Sequence, residues 1–347
     1  MRVLQVMAGA PHGGAETCFV DTVLGLHRAG IEQRVVIRRD AARAALLRGA
    51  GVDPIELPFG ARWIDFRTRM GLGSAVADFR PDIVMGWMRR AASFLKRGPH
   101  VNLGWLGGFY DLKYYRHCDH LAGMSADMRQ HIVKEGWAPE RAHILRAYAP
   151  DGKGYRLDRT ALGSRDGAPL LLALGRLHEA KAFDVLIDAM VQIPDAQLWI
   201  AGEGELRAPL EAQIGRLRLS DRVKLLGWRN DRLDLMATAD LCVFPSRYEP
   251  FGIVSIEAWA ARVPLVATRS AGPGALIRDG EDGLLVPIDD VAALATAIRR
   301  VLDDGDLRAR IVANGRLRYE AEFTERAVVA SYKALFERML AERRKAA

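Results

Sequence analysis

Two glutamates eight residues apart, Glu249 and Glu257, bracket a Pro-Phe-Gly break in the stretch PSRYEPFGIVSIEAWA at 245–260. Pro250 pushes Glu249 out of helical geometry, so its carboxylate is expected extended at the mouth of the apolar strand that ends in LCVF. Gly252 lets backbone approach a ligand, and a helix opening at Ile253 and Val254 offers unpaired N–H groups at the positive end of its dipole. An anion is expected there, with Glu257 one turn in and able to accept hydrogen bonds from a ribose diol. Arg176 and Lys181 in GRLHEAKAFDVLIDAM follow another strand end, five residues apart. Together two such cations can clamp a diphosphate and neutralise the charge that grows on it as a leaving group. Gly13 and Gly14 in AGAPHGGAET are a weaker signal, a turn without side chains whose N–H groups can reach phosphate or sugar oxygens. His12 beside them reads as an ordinary loop histidine. Each residue alone also suits a helix start or a solvated loop; their common place at strand mouths is what points to one anionic ligand.

Holding these groups in place requires a scaffold, and short apolar runs alternate with amphipathic stretches throughout, the pattern of parallel sheets covered by helices. In the first half the strands are expected at RVLQVMA, QRVVIR, DIVMGWM, VNLGWL and HLAGMS. In the second they are PLLLALGRL, AQLWIAGEG, VKLLGW, LCVFPSR and VPLVATRS. Ligands of an open parallel sheet bind outside the carboxyl ends of its strands, so Arg176, Gly202, Trp228, Glu249 and Gly272 are expected to line one crevice. Between the halves, APDGKGYRLDRTALGSRDGAP lacks periodicity and reads as a linker. The tail FTERAVVASYKALFERMLAERRKA is a long amphipathic helix.

A chain of 347 residues, half of them hydrophobic, has enough apolar content for two cores. No apolar stretch is long enough to span a bilayer, and the opening reads as a first strand, so a cytoplasmic protein is expected. Cys18, Cys118 and Cys242 are odd in number and far apart, which suits buried thiols rather than disulfides or a zinc site, and no metal is assigned. Residues 1–150 carry 21 Lys+Arg against 14 Asp+Glu and the rest carry 29 of each, so the whole +7 lies in the first half. Arg62, Arg67 and Arg69 sit there beside Trp63 and Phe66. This basic face reads either as solvated surface or as one that meets anionic lipid headgroups or an anionic substrate. No nucleic-acid reader motif accompanies the charge, and no G-x-G-x-x-G follows a strand, which leaves little for a nucleic-acid binder or a nicotinamide-dependent oxidoreductase.

With these residues in view the chain resembles a retaining glycosyltransferase of the GT-B fold, similar to the large family-4 group of nucleotide-sugar transferases. The likeness rests on GGAE at 13–16, GRLHEAK at 175–181, AGEGELRAPLE at 201–211, VKLLGW at 223–228, the E-x7-E stretch, and GPGALIRDGEDGLLVPIDD at 272–290, in that order. It implies an α/β chain of two Rossmann-like domains facing across a cleft. These would be an acceptor-binding domain at 1–150, a linker at 151–168, a donor-binding domain at 169–320, and a C-terminal helix at 321–347 packing back on the first domain. By the same resemblance Arg176 and Lys181 hold the diphosphate, and N–H groups near Ile253 and Val254 cap it while Gly14 touches it. Glu257 binds the ribose, Trp228 lies by the base, and Glu249, Phe251 and Gly252 meet the transferred sugar.

The implied donor is a UDP-, GDP- or ADP-sugar, with no further cofactor, and the implied acceptor is a glycan or lipid-linked hydroxyl. Cell-envelope polysaccharide or lipopolysaccharide assembly is the expected setting, with peripheral attachment to the inner face of the membrane. Three departures stand out. Leu106, Gly107 and Gly108 occupy the place of the histidine that many relatives have near the anomeric carbon, leaving Asp111 as the nearest polar candidate. Ala182 replaces the glycine usual after the diphosphate lysine, and Ala275 the acidic residue of GP-x-E. An enzyme of the same fold that works on nucleotide sugars without an acceptor, an epimerase or hydrolase, stays open as the alternative.

Overall fold

The structure, a computed structural model, describes residues 1–11, 13–60, 65–152, 154–165 and 167–346. His12, Arg62 and Trp63 therefore lie outside the described residues. The chain divides into two compact units, Met1–Tyr148 with Glu325–Ala347, and Ala149–Thr324.

The first unit holds a seven-stranded parallel sheet. Its strands are β1 (Arg2–Met7), β2 (Glu32–Arg38), β3 (Ile55–Leu57), β4 (Ile83–Trp87), β5 (Val101–Leu106), β6 (His120–Gly123) and β7 (Ala142–Ile144), in the order β3-β2-β1-β4-β5-β6-β7. The second unit holds six, β8 (Leu170–Leu174), β9 (Gln197–Ala201), β10 (Val223–Gly227), β11 (Leu241–Phe244), β12 (Leu265–Thr268) and β13 (Leu284–Val286), in the order β10-β9-β8-β11-β12-β13. All ten expected strands form. The three added ones, β3, β7 and β13, have three residues each and lie at sheet edges, too short to leave a periodic signal.

Every residue of β8, β9, β11 and β12 is buried, because helices cover both faces of the sheet, and this is why these strands read as unbroken apolar runs. The core of the second unit gathers Leu171, Ala173, Leu186, Met190, Ile200, Val243, Val266, Ile298 and Ile311. Each such aliphatic side chain contributes roughly 1.5–3 kcal/mol on burial.

Both sheets reverse their strand order between the first strand and the fourth. In the first unit this places the chain leaving β1 beside the chain leaving β4, with Met7 paired to Trp87. In the second it places the chain leaving β8 beside that leaving β11, with Cys242 paired to Leu172. Such a reversal leaves a crevice at the carboxyl ends of the two strands, because the two connecting helices run to opposite faces.

Residues 151–168 are expected as a linker, and the described residues among them are hydrogen-bonded into the second unit. The Arg159 guanidinium engages Asp240 at 2.9 and 3.0 Å, Tyr155 donates its N–H to Asp234 at 2.7 Å, and Trp199 Nε1 donates to Ser164 Oγ at 2.8 Å. The chain breaks at Thr324 between the helix Gly305–Glu322 and the helix Glu325–Ala346. The latter belongs to the first unit, where Tyr332 stacks on Trp87 with ring centroids 6.5 Å apart and Glu325 takes two hydrogen bonds from Arg28 at 2.8 and 2.5 Å. No described helix is long and apolar enough to cross a membrane.

Candidate functional site

The loops after β8 and β11 carry the charged residues singled out above. After β8 the chain turns through Gly175 and Arg176 into a single 3-10 turn, Glu179–Lys181, and then enters the helix Phe183–Met190. After β11 it runs through 245–252 into the helix Ile253–Ala261. The two loops touch. Tyr248 donates its N–H to the Ala180 carbonyl at 3.2 Å, and Lys181 Nζ lies 2.6 Å from Glu249 Oε2. That ion pair is largely sheltered, with Lys181 19% and Glu249 15% exposed, and the ammonium also lies 5.1 Å from the centre of the Phe244 ring. Arg176 is exposed and forms no ion pair among the described residues.

The second oxygen of Glu249 faces the start of the helix Ile253–Ala261, accepting from Gly252 N–H at 3.2 Å and Phe251 N–H at 3.5 Å. Gly252 has φ 89°, a conformation that costs any side-chain-bearing residue, and no side chain caps the first turn. The N–H groups of Ile253 and Val254 at that turn have no acceptor within their own helix, since the first four helical donors never do. Glu249 therefore stands between a cation and a helix start, the two features that attract an anion.

The remaining expected residues join the same edge. Gly202 donates its N–H to the Gly227 carbonyl at 2.8 Å, which fixes the ends of β9 and β10 side by side with Trp228 just beyond. Trp228 is half exposed, and its indole N–H donates to Asn230 at 3.2 Å. Gly272 donates its N–H to the Glu249 carbonyl at 2.7 Å, and a Cβ at this position would lie 2.4 Å from Phe251 N, so only glycine allows the approach. Glu257 is buried on the helix Ile253–Ala261, where Arg232 Nη1 lies 3.1 Å from its Oε1.

In the first unit, Gly13 caps the helix Gly14–Arg28 without a side chain. Glu16 in its first turn is buried and accepts from Ala10 N–H at 2.8 Å, bracing the glycine turn from below. Arg43, also buried, donates to the carbonyls of Ala10 at 2.5 Å and Pro11 at 3.3 Å.

Asp111 is placed differently. It is exposed and caps the short turn Leu112–Tyr115, with Oδ1 accepting from Lys113 N–H at 2.9 Å and Oδ2 2.5 Å from Lys113 Nζ. The Lys113 ammonium holds its carboxyl below the usual range. An ion-paired cap of low proton affinity is a weak proton acceptor at neutral pH.

Two arginines escaped the sequence reading. Arg232 opens the helix Arg232–Thr238 that follows Trp228 and reaches Glu257; Arg247 sits two residues before Glu249 and reaches Asp184 and Asp289. Their partners lie tens of residues away in sequence, and a single arginine in a polar loop carries no local signal.

Comparison with known proteins supports the likeness drawn from the motifs. The family described as glycosyl transferases group 1 matches residues 155–318. The lipopolysaccharide core biosynthesis glycosyltransferase LpsE of Rhizobium meliloti is 32% identical over 92% of this chain and 94% of its own length. LpsD of the same organism, described in the same words, is 31% identical over 99% of this chain and 100% of its own length. The crystal structure of Anabaena HepE in complex with UDP superposes with a TM-score of 0.85, covering 97% of this chain and 100% of that one at 21% identity, which establishes the GT-B fold. With two parallel sheets that each reverse between the first strand and the fourth, and relatives above 30% identity matched over nearly their whole length, this chain belongs to the group 1 glycosyl transferases.

Proposed function

We propose that this glycosyltransferase moves a hexosyl group from a nucleoside-diphosphate sugar to a hydroxyl of a glycan or lipid-linked acceptor, with retention of configuration, in lipopolysaccharide core assembly. The observation that carries the donor assignment is the joining of Lys181, Glu249 and an uncapped helix start at the β8–β11 reversal, with Arg176 exposed beside them. In this reading Arg176 and Lys181 bind the diphosphate, and the N–H groups of Ile253 and Val254 cap it. Glu249 turns from Lys181 to the sugar hydroxyls; Phe251 and Gly252 offer backbone to the same sugar. Glu257 accepts from the ribose diol, with Arg232 holding one of its oxygens in place, while Gly202 leaves room for backbone approach and Trp228 lies by the base. Gly13 and Gly14 give the first unit a side-chain-free turn for an anionic or sugar oxygen.

Charge develops on the departing diphosphate as the glycosidic bond breaks, and fixed cations stabilise it most at that moment. A diphosphate oxygen takes the acceptor proton, which needs no protein base and agrees with the weakness of Asp111 as one. The names of LpsE and LpsD support the lipopolysaccharide setting, and the full-length match to both supports transfer over acceptor-free chemistry. The basic first half would hold the enzyme against anionic lipid where a lipid-linked acceptor resides.

Incubation with UDP-, GDP- and ADP-hexoses and a truncated core oligosaccharide, read by NMR of the product's anomeric proton, tests the proposal. A product with the donor's anomeric configuration is expected. Inversion overturns retention, and free sugar or an epimerised donor formed equally well without acceptor favours the hydrolase or epimerase.

A further inference from the structure

Arg247 has no part in the donor assignments, yet its guanidinium ties together three loops at the carboxyl edge of the second sheet. Nη1 donates to the Glu179 carbonyl at 2.9 Å and to Asp184 Oδ1 at 3.0 Å, Nη2 donates to Asp184 Oδ2 at 2.6 Å, and Nε donates to Asp289 Oδ1 at 2.6 Å. Glu179 and Asp184 flank Lys181, the first on the loop after β8 and the second in the first turn of the helix Phe183–Met190; Arg247 itself precedes Glu249 on a second loop, and Asp289 follows β13 on a third. Asp289 is held at φ 60°, a conformation unfavourable for a residue with a Cβ.

As a stability device this network is weak, because Asp184 and Asp289 are both more than a third exposed and ion pairs of that kind contribute little. Its geometry is what is unusual for a solvated pair. A planar fork that binds one carboxylate with two N–H groups, a carbonyl and a second carboxylate fixes directions as well as distances, and lysine cannot reproduce it. The two loops it joins most tightly are those bearing the ammonium and carboxylate of the Lys181–Glu249 pair.

We propose that Arg247 is a positioning residue, which locks the segment 179–184 to the loop 245–252 and thereby sets Lys181 against the donor diphosphate. This rests on the diphosphate reading of Lys181. Arg247 acts through Lys181, so its effect disappears when Lys181 is absent. Arg176 lies on the exposed turn before Glu179, outside the three anchored segments, so the effect of Arg247 persists when Arg176 is absent.

The test is a set of double-mutant cycles read by calorimetric titration of UDP, GDP and ADP, with melting temperature measured alongside. In the otherwise unaltered protein Arg247→Lys weakens the diphosphate that binds by about tenfold, since displacements near 1 Å are enough for effects of this order or larger. In the Lys181→Ala background the same change alters affinity less than about twofold, and in the Arg176→Ala background it again costs about tenfold. An equal loss in both backgrounds, or a fall in melting temperature with unchanged affinity, overturns the positioning role and leaves the diphosphate reading intact. If Lys181→Ala itself binds the diphosphate normally, or if none of the three nucleotides binds, the reading beneath it falls as well.

Discussion

Lys181 and Glu249 are paired with each other, and both are assigned to the donor, so binding exchanges one anionic partner of Lys181 for another. The carboxylate is held by Lys181 and two backbone N–H groups, and in the proposed donor complex the diphosphate would take over the cation as Glu249 turns to sugar hydroxyls. The ammonium is therefore never left unpaired, which keeps the desolvation penalty of the sheltered charge small in both states. Arg176→Ala and Lys181→Ala are expected to lower turnover by about 100-fold or more, close to what loss of one transition-state donor costs elsewhere. For the exposed Arg176 the melting temperature should stay unchanged. Near-normal turnover in both variants refutes the clamp. Because these cations and the helix start meet the charge of the diphosphate, activity is also expected to survive excess EDTA; loss of activity restored by magnesium or manganese would show that a cation has a place in the site.

At the scale of elements, two features of the second and first sheets have measurable consequences. Ala182 is buried at φ 50° and ψ 39° at the entry to the helix Phe183–Met190. The left-handed conformation costs a residue with a Cβ on the order of 1 kcal/mol, against which stand the small packing gain of a buried methyl and the entropy that glycine loses on folding. Ala182→Gly is therefore expected to leave stability unchanged or raise it by up to about 1 kcal/mol, measured by urea unfolding. A loss larger than that would mean the methyl contact dominates.

On the edge of the first sheet, His120 Nδ1 lies 3.0 Å from His143 Nε2, and Arg338 of the C-terminal helix lies 3.1 Å from His143 Nδ1. Arginine only donates, so His143 accepts through Nδ1 and donates through Nε2. Burial pushes both imidazoles down, His143 to about 3, where His120, Arg338 and Arg129 add to the effect; Glu342 and Asp119 pull His120 partly back, against Arg141 and Arg338. An unfolded histidine takes up its proton near pH 6.5, so below that value the unfolded chain binds more protons than the folded one. Stability is therefore full above about pH 6.5 and falls as pH drops toward the folded values. The melting temperature of the protein should decline between pH 7 and pH 5, and His143→Leu should flatten that decline; parallel curves would remove the pair as its source.

At the scale of the whole molecule, the net charge of +7 belongs to residues 1–150 while the proposed donor residues Arg176, Lys181, Glu249 and Glu257 lie in the neutral remainder. In the helix Phe66–Phe79, Phe66 and Met70 are 63% and 69% exposed beside Arg67 and Arg69. Exposed apolar side chains among arginines suit an anionic lipid surface, where each basic residue adds about 1 kcal/mol of attraction. Co-sedimentation with phosphatidylserine-containing vesicles should exceed that with neutral ones and weaken with salt, which screens over roughly 10 Å at 0.1 M. Glu at 62, 67 and 69 together should abolish the difference. Equal recovery with both vesicle types would leave this face as solvated surface and favour a soluble acceptor.

Much of this was legible in the amino-acid order alone. Ten strands announced themselves as short apolar runs, most plainly β8, β9, β11 and β12, where burial on both faces demands an unbroken run. The E-x7-E stretch and the Arg-x4-Lys pair stood out because proline and glycine punctuate the loops that hold them. What the sequence could not determine was pairing at a distance. Arg247 finds Asp184 across 63 residues and Asp289 across 42, and Arg232 finds Glu257 across 25, contacts that exist only because the strand order brings those loops to one edge. The left-handed turn at Ala182 and the three-residue edge strands were settled in the same way. Each depends on what the folded chain places beside a residue, and local propensity is silent about neighbours that the sheet supplies.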